Sequence, residues 1–210
     1  MTIRKLGPYG VPVPRPTKLI VLHSDSEIAQ QFKSGTLSEP CTVTKGSIAQ
    51  SLGIDGQHSY KDSNSVLPMT LVQIDLLQIE YRTEFSKDSV IRTYVAGSLS
   101  LQHHTPFSTF LILSNSGILR GRDVLPRAHP NDGFADVLEI DAAINMRQRA
   151  LAWHRSKTGS HLPHPQCKAS RSVEYQWSGR SSNMIADGVT HKGVVWLSCK
   201  VLPDAMSIYF

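Results

Sequence analysis

Cysteines, aromatic side chains and long apolar runs are all scarce in this chain of 210 residues, and each shortage removes a class of protein. The three cysteines, Cys41, Cys167 and Cys199, are odd in number and far apart, which argues against a disulfide framework and for free thiols in a reducing compartment. No apolar run approaches the roughly 20 residues that span a bilayer. Residues 1–15 lack the apolar centre of a secretory signal, so a cytoplasmic location is expected. No Gly-x-Ser-x-Gly elbow, Gly-x-Gly-x-x-Gly fingerprint or Ser-His-Asp order is present, which removes the motif-based case for a hydrolase or a dehydrogenase. There are no internal repeats and no low-complexity tracts.

What remains is ordinary globular material: 40% hydrophobic and 19% charged residues can bury one sizeable core, with room for a small attachment. The net charge of +5 favours anionic partners, among them phospholipid headgroups, nucleotides and nucleic acid, and charge alone does not choose between them.

Prolines crowd residues 7–17 too closely for a helix or a central strand, so 1–17 reads as an extended arm. Residues 18–23 read as a strand, and Asp25 is placed to cap a short helix through Phe32 that Gly35 ends. A second short helix is expected at 46–52, and 55–64 is polar and turn-rich enough for a loop. Strands follow at 69–81, 89–96, 109–113, 134–140, 170–177, 183–186, 194–201 and 206–209. Many short strands between turns predict an antiparallel β-sandwich, mainly β with some α. One helix interrupts it at 141–158, capped by Asp141 and ended by Gly159, with Ala143, Met146, Ala150 and Trp153 on one stripe. Its other side carries Arg147, Arg149, Arg155 and Lys157, a solvated basic face or a meeting point for a lipid surface.

The segment 115–140 is the most specific part of the chain. A strand ends at Asn115, a loop follows with Arg120, Gly121 and Arg122, then Pro126 and Ala128, then the Asn131-Asp132-Gly133 turn and the strand with Asp136 and Val137. In that order these residues resemble the substrate-side, C-terminal domain of diacylglycerol kinases and YegS-type lipid kinases. Arg120 and Arg122 stand where the family has glycines, and Ala135 replaces a leucine. Gly159-Ser160-His161 with Pro165 is similar to the family's Gly-x-His turn. Ala186-Asp187-Gly188 is similar to its Asp-Gly-Glu, with Val189 in place of the glutamate. The stretch 201–205 resembles its closing strand and proline turn. Upstream, 45–54 looks like a shortened form of the segment that follows the family's phosphate loop, and nothing before it reads Gly-Gly-Asp-Gly-Thr.

The resemblance implies a β-sandwich over 55–210 preceded by a short α/β remnant at 18–54. It implies Asp187 as counterpart of the general base, and Asn115, Arg120, Gly121, Arg122 and Gly188 around the substrate. It leaves Gly46 and Ser47 as a degenerate trace of the nucleotide site. It also implies ATP and Mg²⁺ as cofactors, with Asp132 as a cation ligand, and an anionic phospholipid or diacylglycerol-like lipid as partner at the membrane periphery. A separate nucleotide-binding chain or a homo-oligomer is a further expected partner, and nucleic acid is not. Phosphoryl transfer needs phosphates positioned and neutralised by amides, cations or metal, and the sequence shows no such cradle.

Physical alternatives stand beside each role. Asp187 also reads as an ordinary turn aspartate, and Asp132 as a structural turn residue needing more oxygens to hold a cation. Arg120 and Arg122 either bind an anionic headgroup or pair with Asp123 or Asp136 to fix their loop. His161, His164 and Cys167 have zinc-like spacing but no second cluster, and His103-His104 read as a loop pair. The reading is a lipid-kinase-like domain with weak or no independent catalysis; the alternatives are an interaction or oligomerisation module and an active kinase.

Overall fold

The architecture is that of a computed structural model describing residues 10–35, 39–54, 68–103 and 109–210. The expected 55–64 loop and His104 lie outside the described residues. In chain order the elements begin with β1 (Val11–Val13), β2 (Ile20–Leu22), α1 (Asp25–Lys33), β3 (Cys41–Val43) and α2 (Ser47–Ser51). Then come β4 (Met69–Thr83), β5 (Ser86–Val95), β6 (Ser98–Gln102), β7 (Phe110–Ser114) and the short hairpin of β8 (Ile118–Leu119) and β9 (Arg122–Asp123). The chain finishes with β10 (Ala135–Ile140), α3 (Met146–Arg155), β11 (Cys167–Ser172), β12 (Glu174–Ala186) and β13 (Val189–Tyr209).

The main sheet runs β1-β4-β13-β12-β6-β7-β10-β11, with β5 on the free side of β4 and the β2-β3 pair attached to β13. Every pairing along that path is antiparallel. The exceptions are the parallel β2-β3 pair, joined through α1, and the parallel contact of β3 with β13 at Cys41 and Ile208. The sheet curls so that Leu77, Ile79, Val95, Leu99, Leu113, Val137, Met184 and Leu197, drawn from both of its ends, pack into one buried cluster. This is the sandwich interior.

Strand periodicity explains how the α/β unit attaches. Along β4, Val72, Ile74 and Leu76 face one side and Leu77, Ile79 and Tyr81 the other. The first set joins Leu22, Ile28, Val43, Ile48, Met206 and Ile208 in a second core, and the second set lines the sandwich. One β4-β13 ribbon therefore serves two cores on opposite faces. A register shift between Leu202 and Met206, with Asp204 at φ 50°, bends β13 where it passes from one to the other.

Several local expectations change. The arm contributes β1, an edge strand whose prolines flank or tolerate its pairing with β4. Ser24, not Asp25, caps α1, accepting from Glu27 N, while Gly35 follows the helix at φ 72° as expected. Ser98–Gln102 is a strand the sequence reading omitted, and β12 and β13 are each one long strand where shorter pieces were expected. α3 starts five residues later than predicted, because Asn145 and Gln148 form a reciprocal capping box. Asp141 instead accepts from Ala143 N in the preceding turn. The helix does stop at Gly159 after one 3₁₀ turn, but none of Met146–Arg155 is buried: Met146, Leu151 and Trp153 face outward.

Candidate functional site

Two hairpin turns and one helix start converge on a cleft of about 370 Å³ lined by Asp25, Ser47, Ser98, Ser100, Arg120 and Asp187 among others. Ser98, at the end of the Ala96-Gly97-Ser98 segment that joins β5 to β6, forms part of its floor. The turn between β12 and β13 is Asp187-Gly188, both at positive φ (45° and 87°), as mirror-image two-residue hairpins require. The β8-β9 turn repeats that geometry with Arg120 and Gly121 at 51° and 71°. Glycine adopts such angles freely and arginine does not, so Arg120 is held in a strained conformation at the rim.

Asp187 stands at a strand end as expected, but its carboxylate is turned inward. Oδ2 accepts from Ala96 N at 2.7 Å, and Oδ1 from Gly97 N at 3.0 Å and Ser98 N at 2.9 Å. Its own N–H donates to Ser98 O. Three of the roughly four lone-pair directions of a carboxylate are thereby used. Burial pushes its pKa up to about 7, the charge of Asp25 adds to the rise, and the three amides partly offset it. A proton affinity near neutrality suits a general base; three amides already held on the carboxylate, leaving about one lone pair, do not.

Asp25 occupies the start of α2. Its Oδ2 accepts from Ser47 N at 2.7 Å and Ser47 Oγ at 2.8 Å, and its Oδ1 from Ile48 N at 3.0 Å. Gly46, the residue at the cap position, supplies no side-chain bond, so a carboxylate from 22 residues upstream does the capping. A methyl group on Gly97 would lie 2.1 Å from Ser47 Oγ and 2.8 Å from Asp25 Oδ2, which explains glycine there. The amides of Ser47 and Ile48 that could meet an external anion are already held by the chain's own carboxylate, so Gly46 and Ser47 do not fit a nucleotide phosphate.

The other expected residues separate. Asn115 is fully buried, and its Nδ2 donates to Asp75 O at 2.6 Å and Ala96 O at 3.1 Å, so it ties β4 to the segment between β5 and β6. Arg122 turns away onto α3, donating to Trp153 O at 2.8 Å with its guanidinium 4.4 Å from the indole centroid; it pairs with neither Asp123 nor Asp136. Asp132 accepts from Phe134 N and forms an ion pair with Arg171, so an arginine stands where a cation was expected and the residues do not fit Mg²⁺. His161 Nε2 lies 3.1 Å from Val124 O and His164 Nδ1 accepts from Gln166 N, which leaves no converging zinc set; among the described residues no group of three or more His, Cys, Asp or Glu could hold a metal.

Sequence reasoning missed Asp25, Ser98, Ser100 and Asp75. Asp75 is buried, accepts from Gly133 N and Asp204 N, and so fixes the Asn131-Gly133 turn against the β13 bend. The Ser-Leu-Ser-Leu alternation of β6 was a usable signal; Asp25 and Asp75 act over distances no local pattern records.

The fold is a β-sandwich domain carrying a small parallel α/β unit. Residues 51–210 match the family described as the YegS C-terminal NAD kinase beta sandwich-like domain, and the chain belongs to that family, the C-terminal domain type of diacylglycerol kinase and YegS lipid kinases. Two solved structures from Bacillus anthracis str. Sterne, the first described as a putative diacylglycerol kinase and the second as a diacylglycerol kinase, share the fold at 8% identity. One has a TM-score of 0.63, with 90% of this chain and 77% of that chain covered. The other has a TM-score of 0.60, with 90% and 76% covered. No curated protein matches. Among the described residues no helix is long and apolar enough to cross a membrane.

Proposed function

We propose that this chain is a diacylglycerol kinase-like domain that binds a lipid or anionic headgroup in the Asp187 cleft and does not transfer phosphate from ATP by itself. One observation carries this reading: both carboxylates of the cleft are committed to main-chain amides, Asp187 to the floor and Asp25 to the start of α2. The candidate base has about one lone-pair direction left for a hydroxyl, and the place of the phosphates is taken by a negative charge. Hydroxyls of Ser98 and Ser100 and the guanidinium of Arg120 still line the opening, which suits a hydroxylated or anionic headgroup.

Incubation of the pure protein with labelled ATP, magnesium and mixed lipids should give no transfer above background, while lipid extraction and mass spectrometry should recover a retained acyl lipid. Transfer that Asp187→Asn abolishes in a folded variant overturns the proposal.

A second reading, an oligomerisation module, draws support from β5. Among the described residues this strand pairs only with β4; it exposes Val90 and Ile91, and Phe85 at the adjoining turn is 81% exposed. Sedimentation equilibrium decides it: a concentration-independent monomer removes the reading.

A further inference from the structure

A second cavity, of about 570 Å³, shares no lining residue with the cleft and lies where β10 and β11 meet the loops around Leu125 and Leu162. Its volume falls in the range of small-molecule sites. Leu125, Leu162 and Cys167 give it apolar surface, and one carboxylate, Asp136, lines it. Asp136 is 3% exposed. Its Oδ1 lies 3.4 Å from Arg171 Nε, while its Oδ2 is buried without a hydrogen-bond partner. Such an orphan acceptor costs about 1–3 kcal/mol unless a donor reaches it.

The charges around this carboxylate select the donor. Arg127 and Lys168 also line the cavity, are exposed and have no ion pair among the described residues. With Arg171 they repel an ammonium ion or a metal cation, which excludes the two commonest cationic partners of a buried aspartate. A hydroxyl can donate to Oδ2 without adding positive charge. An anionic group on the same molecule would meet Arg127 and Lys168, whose cationic heads recognise phosphate oxygens.

We propose that this cavity binds a small phosphorylated polyol, with a hydroxyl donating to Asp136 Oδ2 and the phosphate held by Arg127 and Lys168. The raised proton affinity of Asp136, brought to about 7 by burial, agrees with a carboxyl group waiting for a donor.

The test titrates the full chain with glycerol 3-phosphate, the smallest probe that carries both groups, and in parallel with glycerol and with inorganic phosphate, followed by amide NMR. Glycerol 3-phosphate should perturb 125–127 and 167–171 and bind at least about tenfold more tightly than either half. Asp136→Asn, an isostere that should keep the fold, should erase that advantage without weakening phosphate binding; Lys168→Glu should weaken both phosphate-bearing probes. The proposal is overturned if no perturbation appears by about 10 mM. It is equally overturned if glycerol 3-phosphate and phosphate bind alike and Asp136→Asn changes nothing, which would mean a bare cationic patch over a trapped water.

Discussion

Replacing Asp25 by alanine tests the geometry on which the functional reading rests. The substitution removes the acceptor for Ser47 N, Ser47 Oγ and Ile48 N, and Ile48 is fully buried, so water cannot fully replace the lost bonds. A lost helix cap costs about 1 kcal/mol, and hydrogen bonds to a charged acceptor are worth about 1.5–3 kcal/mol each. Allowing for water at the half-open side of the cleft and for relief of repulsion with Asp187, a loss of about 3 kcal/mol is expected. In a chain of this size that lowers Tm by roughly 6–12 °C. Urea unfolding at pH 7.5 measures the stability. Carboxyl ¹³C titration supplies an independent readout: Asp187, raised to about 7 partly by the charge of Asp25, should titrate lower in the variant. A stability change under about 0.5 kcal/mol together with an unmoved Asp187 titration would refute the reasoning, since a surface substitution does no more.

Three further outcomes follow from buried groups. Asp136→Asn should stabilise the protein by about 2 kcal/mol at pH 8 and by little at pH 4. The rise from 3.8 to about 7, caused by burial, sets a ceiling of about 4 kcal/mol, and relaxation of the surroundings about a buried charge roughly halves it. The sign follows from linkage: between about pH 4 and 7 the native state holds a proton the unfolded chain has released, so wild-type stability falls as pH rises through that window, and a flat pH profile of the difference would contradict it. Arg122→Ala should cost about 1 kcal/mol by removing the stacking on Trp153 and the bond to its carbonyl, and Trp153 fluorescence should report the change. Cys199, 1% exposed and with burial pushing its thiol up to about 12, should resist alkylation in the native state while the partly exposed Cys167 reacts first; peptide mass spectrometry after a short iodoacetamide pulse decides the order.

Periodicity and turn chemistry made most of the frame legible. The strand-forming runs of β4 and β10 and the Asp187-Gly188 and Asn131-Gly133 turns are local signals, and the structure contains them where the sequence places them, although β10 buries Ala135 to Leu138 in succession where alternation was expected. α3 misled for an equally local reason: Ala143, Met146, Ala150 and Trp153 keep a helical spacing, but the helix begins at the Asn145 capping box and lays Met146 and Trp153 outward, with Arg122 covering the indole. The candidate site was legible only in outline. Asp187 could be picked from its motif, but the three amides that hold it lie about 90 residues away. Asp136 meets Arg171 because the two are cross-strand neighbours on β10 and β11, a register that α3 and the intervening loop conceal in the sequence.

The boundary of the family match at residue 51 suggests that the α/β unit is separable, and the packing argues against it. Val72, Ile74, Leu76, Met206 and Ile208 are buried against Leu22, Ile28, Val43 and Ile48, on the ribbon face opposite the sandwich core. Removing residues 1–54 would expose those five side chains, at about 1.5–3 kcal/mol each, or roughly 8–15 kcal/mol in all, which equals the whole stability of a typical domain. It would also free the β13 edge that β3 now occupies at Ile208. The fragment 55–210 should therefore bind an apolar dye and lose its near-ultraviolet circular dichroism while keeping far-ultraviolet β signal. A fragment that instead unfolds cooperatively in urea with native-like aromatic signals would show that β4 and β13 need only one of their two cores, and that the unit carrying Asp25 is an addition to a domain already complete.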